Sequence, residues 1–322
     1  MKERLLLFSL IICCCLCSCT QRNDTDGITI DATSHDFTQW NEILDFADTI
    51  PLQQTGESVL SNVDNMILCP GGFLLTDVKT GKIFKFASDG RLVYSTGELG
   101  RANNEYLRPL DICLSNDGQN FVLLDESGLL YYRLNDGKFV KKEKIFNNNQ
   151  YWNKFMIDKA GNIFGFSPYA EHTILLRATG GEVKNLRDYK SYQLITRKFY
   201  KYNNVVHVLP DWGDYTIDYY SEGRLKTKYR LDFGSDIIPS NWVPTTSKDF
   251  TEKDYKSENL FRTVFDACES DKYLCALVVG PGQTNYLVIY NKATGKTYAG
   301  KASGSYCAPL VGAVGDFVYV LV

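Results

Sequence analysis

Histidine and methionine are scarce, at 3 residues each in a chain of 322. So few imidazoles argue against a histidine-built metal centre. Positive charge does not gather anywhere. Lys and Arg total 35 against 38 Asp and Glu, the net charge is -3, and no block of basic residues marks a nucleic-acid surface. His35, His172 and His207 show no Ser-His-Asp order, and no paired glutamates fall at catalytic spacing. The cysteines beyond Cys19 are Cys69, Cys113, Cys268, Cys275 and Cys307, an odd number whose spacings fit no zinc motif. Cys69 and Cys113 read as small core residues, and a Cys268–Cys275 bridge across one hairpin is the weaker reading.

What is present in quantity is aromatic and apolar. Tyr and Phe number 21 and 18, and 44% of the chain is hydrophobic, enough for a large core rich in strands. At the N-terminus, Lys2 and Arg4 precede the apolar run Leu5–Leu16. At about a dozen residues that run is too short to span a bilayer. It ends in Leu16-Cys17-Ser18-Cys19, which resembles a bacterial lipobox. Residues 1–19 are therefore expected to be a lipoprotein signal peptide with Cys19 lipidated, against the plainer reading of a secretory signal with an incidental cysteine. Residues 20–27 read as a tether, and residues 28–322 as one domain.

From about Ser58 the chain repeats. One turn position recurs at Gly72, Gly118, Gly161, Asn204, Asp271 and Gly315, at intervals of 46, 43, 43, 67 and 44 residues. A second recurs at Gly90, Gly137, Gly181, Gly223 and Gly295. The long interval in both series marks an insertion at about 234–259, rich in Pro, Ser, Asp and Lys. A four-strand unit of this period predicts a β-propeller. One small sheet cannot cover its own apolar faces, whereas sheets set radially bury both faces against their neighbours. The near-continuous apolar runs Phe73-Leu74-Leu75 and Phe121-Val122-Leu123-Leu124 suit strands covered on both sides. The count gives five units and the start of a sixth. The expected fold is all-β: a six-bladed propeller of four-stranded antiparallel blades, its short last blade completed by N-terminal strands near Ile28 and Ile43–Leu52.

The lipobox and tether, the Ile50-Pro51-Leu52 element, the Asp77-to-Phe86 blade pattern and the link Gly97–Tyr106 together resemble the six-bladed β-propeller lipoproteins of Gram-negative bacteria, whose blades are similar to NHL repeats. The resemblance implies a lipid-anchored envelope protein, at the outer membrane with the leaflet open, and carries no defined activity. Ala102, Asn103 and Asn104 stand where family members carry Gly, Pro and Gly.

Three candidate sites follow. Asp77, Asp125 and Asp211 close the same strand in three repeats, and Asp111 opens another. Such a ring of acids would suit Ca²⁺, a hard cation, although an Asp at a strand end more often caps the next turn. Arg101, Glu105 and Tyr106 form a loop that could offer an Arg fork to a carboxylate or sugar, or simply pair internally. Trp152, Tyr169, Trp212 and Trp242 are either sugar-stacking platforms or buried rings, with Trp212 the best candidate for an exposed one. The leading expectation is a non-catalytic binding or scaffold lipoprotein for a glycan, a peptide or an envelope protein. The alternatives are a metal-dependent hydrolase or lyase working in the propeller channel, and a shortened, inactive relative.

Overall fold

The computed structural model describes residues 27–321 apart from 46, 57–58, 146–150, 169, 192–196 and 304–308. Cys19, Tyr169 and Cys307 lie outside the described residues.

The first strand, β1 (Ile28–Asp31), stands apart from the repeats. Five four-stranded antiparallel sheets then follow in sequence. Blade one is β2 (Val63–Cys69), β3 (Gly72–Asp77), β4 (Lys82–Ala87) and β5 (Leu92–Thr96). Blade two is β6 (Asp111–Leu114), β7 (Asn120–Asp125), β8 (Gly128–Arg133) and β9 (Phe139–Glu143). Blade three is β10 (Lys154–Ile157), β11 (Ile163–Phe166), β12 (His172–Arg177) and β13 (Val183–Asp188). Blade four is β14 (Phe199–Tyr202), β15 (Val205–Val208), β16 (Thr216–Ser221) and β17 (Arg224–Asp232). Blade five is β18 (Thr263–Glu269), β19 (Tyr273–Val279), β20 (Asn285–Asn291) and β21 (Thr297–Lys301). A hairpin of β22 (Leu310–Val314) and β23 (Phe317–Val320) completes the described strands.

The first strands pack on one another in a ring that runs through β2, β6, β10, β14, β18 and β22 and back to β2. Most second and third strands are buried on both faces, as their apolar runs require, β7 from Phe121 to Asp125; β16 is half-buried from Asp218 to Ser221. Antiparallel strands alternate in direction. Residues that open first and third strands and close second and fourth strands therefore share one face of the disc. The insertion, which leads from β17 to β18, lies on that face and holds a helix, α1 (Ser247–Lys256).

Two expectations need correction. Among the described residues there are five four-stranded blades, not six, and the sixth sector holds the β22–β23 hairpin. Nor do N-terminal strands complete that sector. β1 instead pairs in parallel with β17, on the outer edge of blade four, with Ile28 opposite Tyr229 and Asp31 opposite Asp232. The described residues of the Ile43–Leu52 stretch form no strand; a short 3-10 helix at Trp40–Glu42 precedes it. Past β1 the chain acts as a strap. The Phe37 amide donates to the Ala299 carbonyl of β21, and Trp40 Nε1 donates to the Lys301 carbonyl. A Cβ on Gly300 would lie 1.7 Å from the Phe37 carbonyl oxygen, so only glycine admits the strap there. Farther on, the Gln53 amide donates to the Gly90 carbonyl on blade one. Trp40, Phe37, Ile43 and Leu44 join the core of blade five, while Ile50 and Leu52 join that of blade one. The strap thus bridges the sector that has too few strands.

Candidate functional site

The sequence-predicted acids turn out to be engaged by the protein itself. Asp77 is fully buried and accepts the amides of Ser61, Lys79 and Thr80. Asp125, equally buried, accepts the amides of Leu107, Arg108 and Ser127 and the Ser127 hydroxyl. Both cap the loops beside them. Asp211 lies between Lys198 Nζ at 2.6 Å and Arg187 Nη1 at 3.4 Å. Burial pushes its carboxyl up, but these two cations outweigh that and hold it below the usual range. Arg187 also reaches Asp218 at 2.7 Å, which ties blade three to blade four. Among the described residues no three His, Cys, Asp or Glu side chains gather so as to hold a metal ion.

The loop of Arg101, Glu105 and Tyr106 is likewise inward-looking. Tyr106 is fully buried and its hydroxyl donates to the Gly81 carbonyl, so the ring belongs to the core between blades one and two. Glu105 accepts the Ala102 amide at 2.8 Å and closes its own loop, which leaves Arg101 exposed on the surface. Trp152 is buried. Trp212, expected to be exposed, is 6% exposed and packs edge-on against Phe250 of α1, because the insertion lies over it.

One constellation escaped the sequence reading. Asn65, Asp111, Lys154, Arg197 and Asp266 recur at intervals of 46, 43, 43 and 69 residues, one in or just before each blade's first strand. Each latches onto another blade. Asn65 Nδ2 donates to the Leu110 carbonyl, Asp111 accepts the Phe155 amide, and Asp266 accepts the Leu310 amide. Lys154 reaches past blade two to Asn65 Oδ1 at 3.0 Å and lies 3.8 Å from Asp111. Arg197 reaches Asp266 at 3.2 Å and the carbonyls of Leu310 and Val311. These two long side chains cut across the channel at its insertion-side end. Burial raises the carboxyls of Asp111 and Asp266, and Lys154 and Arg197 respectively oppose the rise. Such cross-blade pairs tie the ring together, and they occupy the groups that a channel ligand would need.

The same face carries an open, shallow depression of about 620 Å³, lined by Ala170, Glu171, His172, Asp188 and Tyr189. His172 opens β12 and Asp188 closes β13, and the two are register partners across the hairpin. Asp188 Oδ1 lies 2.8 Å from His172 Nδ1 and 2.5 Å from Asn185 Nδ2. Hydrogen bonding to these two nitrogens, Asn185 contributing most and His172 next, holds the Asp188 carboxyl below its ordinary pKa. Asn185 Nδ2 also lies 2.9 Å from His172 Nδ1; the tautomer that donates Nδ1–H to Asp188 keeps a lone pair on Nε2. Tyr189 forms another wall, its hydroxyl donating to the Thr245 carbonyl of the insertion at 2.7 Å. The depression thus presents two carboxylates, an imidazole and an aromatic ring, with the insertion beside it.

A putative exported protein of Bacteroides fragilis has the same fold, with a TM-score of 0.71 at 17% identity over 85% of this chain and 80% of that one. A DUF4221 family member of Bacteroides vulgatus is similar at a TM-score of 0.50 and 12% identity, over 79% of this chain and 83% of that one. No protein of curated function matches in sequence. Residues 28–317 match the family described as "Domain of unknown function (DUF4934)".

Proposed function

Since the chain belongs to the DUF4934 family of unknown function, we propose, from the geometry of its own surface, that it is an exported binding module that takes a glycan in the depression on blade three. The observation that carries this reading is the His172–Asp188 pair lining that depression, with Asn185 bonded to both. Sugar hydroxyls both donate and accept. Asp188 and Glu171 accept, His172 Nε2 accepts, and the Tyr189 ring provides an apolar wall of the kind sugar faces pack against. The two carboxylates disfavour anionic ligands. An exported location agrees with the signal-like N-terminus and with the description of the Bacteroides fragilis protein as exported. Among the described residues no helix is long and apolar enough to cross a membrane. Attachment through a lipidated Cys19 completes the proposal.

The test is calorimetric titration of the protein with neutral oligosaccharides, alongside basic and neutral peptides. Oligosaccharide binding that falls about tenfold in Asp188→Ala, the loss of roughly 1.4 kcal/mol expected for one hydrogen bond to a charged group, supports the reading. Binding of peptides alone, or binding indifferent to Asp188 and His172, refutes it. A second reading rests on the His172 tautomer. An imidazole oriented by a carboxylate is the arrangement of a general base, so turnover of a bound glycan that His172→Ala abolishes would make the module a lyase or hydrolase. The metal-dependent version of that reading finds no support in a channel whose acids are already paired.

A further inference from the structure

Cys268 and Cys275, the two thiols of blade five, face each other across one hairpin. β18 and β19 join through the loop Asp271-Lys272, where the Ser270 amide donates to the Tyr273 carbonyl. From that closure the register runs Glu269 opposite Leu274, then Cys268 opposite Cys275. Directly opposed residues of an antiparallel pair point to the same face of the sheet. Their Cα atoms lie about 4.5–5.5 Å apart, inside the span of about 4.4–6.8 Å that a disulfide accepts. Their Cβ atoms need to close by no more than about 1 Å. The corresponding place in blade one, also two pairs in from a tight turn, carries Ile67 opposite Leu74. Large aliphatic side chains serve packing there, and blade five puts two thiols in their stead. Both are 3% exposed, in a core shared with Trp40, Leu277 and Leu310. The other described cysteines are out of reach, Cys69 in the core between blades one and two and Cys113 in that between blades two and three. In the structure all four are free thiols. The hydrogen bond with Cys275, then burial, pushes the Cys268 thiol well up. Once the blade has packed, the pair therefore offers little of the thiolate that exchange requires. The hairpin, however, is local in sequence, and hairpins form long before a domain of this size has closed its core.

We propose that Cys268 and Cys275 close into a disulfide that staples the β18–β19 hairpin of the exported protein. This rests on the exported location in the reading above, since such bonds persist in oxidising compartments. The oxidant is a protein or small-molecule disulfide, R–S–S–R. One cysteine thiolate attacks a sulfur of the oxidant and expels one R–S⁻, which leaves a mixed disulfide. The second cysteine thiolate attacks the sulfur of the first and expels the other R–S⁻. The two cysteines give up two electrons, their two protons pass to the expelled thiolates, and the oxidant departs as two R–SH. Closure precedes burial, and the packed core afterwards shields the bond from reductant.

Lys272 lies between the two cysteines, so trypsin separates them onto the peptides Thr263–Lys272 and Tyr273–Lys292, which only a bridge holds together. In the first arm the full chain is made with its own leader in a bacterial host, and envelope and cytoplasm are separated. Thiols are blocked with N-ethylmaleimide in denaturant, without reductant, before digestion and mass spectrometry. The expected result from the envelope is the two peptides joined, lighter than their sum by two hydrogens, with Cys69 and Cys113 blocked. Both peptides carrying the blocking group in the envelope protein overturns the proposal. A chain found only in the cytoplasm refutes the exported reading instead, and the second arm then decides the pairing by itself. There the purified chain is refolded from urea in mixed reduced and oxidised glutathione. The same joined peptides are expected, and their absence overturns the pairing wherever the protein resides. The bridged chain should melt about 5 °C above the same chain refolded with dithiothreitol, the increment for a loop this short. Equal melting temperatures overturn the staple.

Discussion

His207 provides a sharp test of the packing between blades four and five. It lies in β15, 1% exposed, stacked at 4.6 Å on the Tyr200 ring and near Tyr202 and Tyr219. Its Nδ1 donates to the Val205 carbonyl, and its Nε2 accepts from Lys228 Nζ at 3.1 Å. Burial, then the Lys228 charge, lower its pKa from 6.5 to about 4, and the Glu269 carboxylate at 3.7 Å only partly offsets this; Lys292 adds to the lowering. The native ring is therefore neutral where the unfolded chain's is charged. Between those two values the unfolded state binds more protons, so stability is full above the unfolded value and falls as pH drops towards the folded one. Over that window the loss amounts to about 3 kcal/mol. Other groups act in the same pH range with either sign, since Glu269 is lowered while Asp111 and Asp266 are raised. The difference between wild type and His207→Gln isolates the imidazole, because Gln can still accept from Lys228 but does not titrate. Urea unfolding of both proteins at about pH 7 and about pH 4 should show wild type losing about 3 kcal/mol more than the variant. Equal losses, or a native His207 resonance titrating near 6.5, would refute the account.

Glu269, fully buried, accepts from Lys228 at 2.9 Å, Lys292 at 2.6 Å and the hydroxyls of Tyr200 and Tyr229. Glu269→Ala strands these donors and should cost about 3–5 kcal/mol in chemical denaturation. Trp40→Ala empties a site 2% exposed and removes the bond to Lys301, so it should cost about 3–5 kcal/mol and lower the melting temperature by several degrees. Gly300→Ala should free the strap, seen as proteolytic cleavage before residue 53 with the blades still intact. Lys154→Met, which keeps the stem but breaks the latch to Asn65 and Asp111, should destabilise by about 1–3 kcal/mol, read from the midpoint of a urea curve.

The blades themselves were legible. The apolar runs at Phe73 and Phe121 became β3 and β7, and the turn glycines fell where strands reverse. The placement of the N-terminus was not. Ile28-Thr29-Ile30 is a short strand signal that suits any outer edge, and nothing local tells blade four from a sixth sector. The acids closing β3 and β7 drew attention as a ring, yet their position beside loop amides made them caps. The latch residues follow the same repeat period, and laying that period over the first strands rather than the turns would have found them. His172 looked solitary because its partner Asp188 lies across a hairpin whose register shifts at a bulge, which sequence spacing does not display.

The direction of β1 also fixes which way the molecule looks. The strand runs parallel to β17 and climbs towards the insertion, so it begins, at Ile28, on the opposite side of the disc. If acyl chains on Cys19 sit in a bilayer, the eight-residue tether between can extend at most about 28 Å. The domain would then ride close above the lipid with its histidine-lined hollow turned outward, to whatever diffuses past.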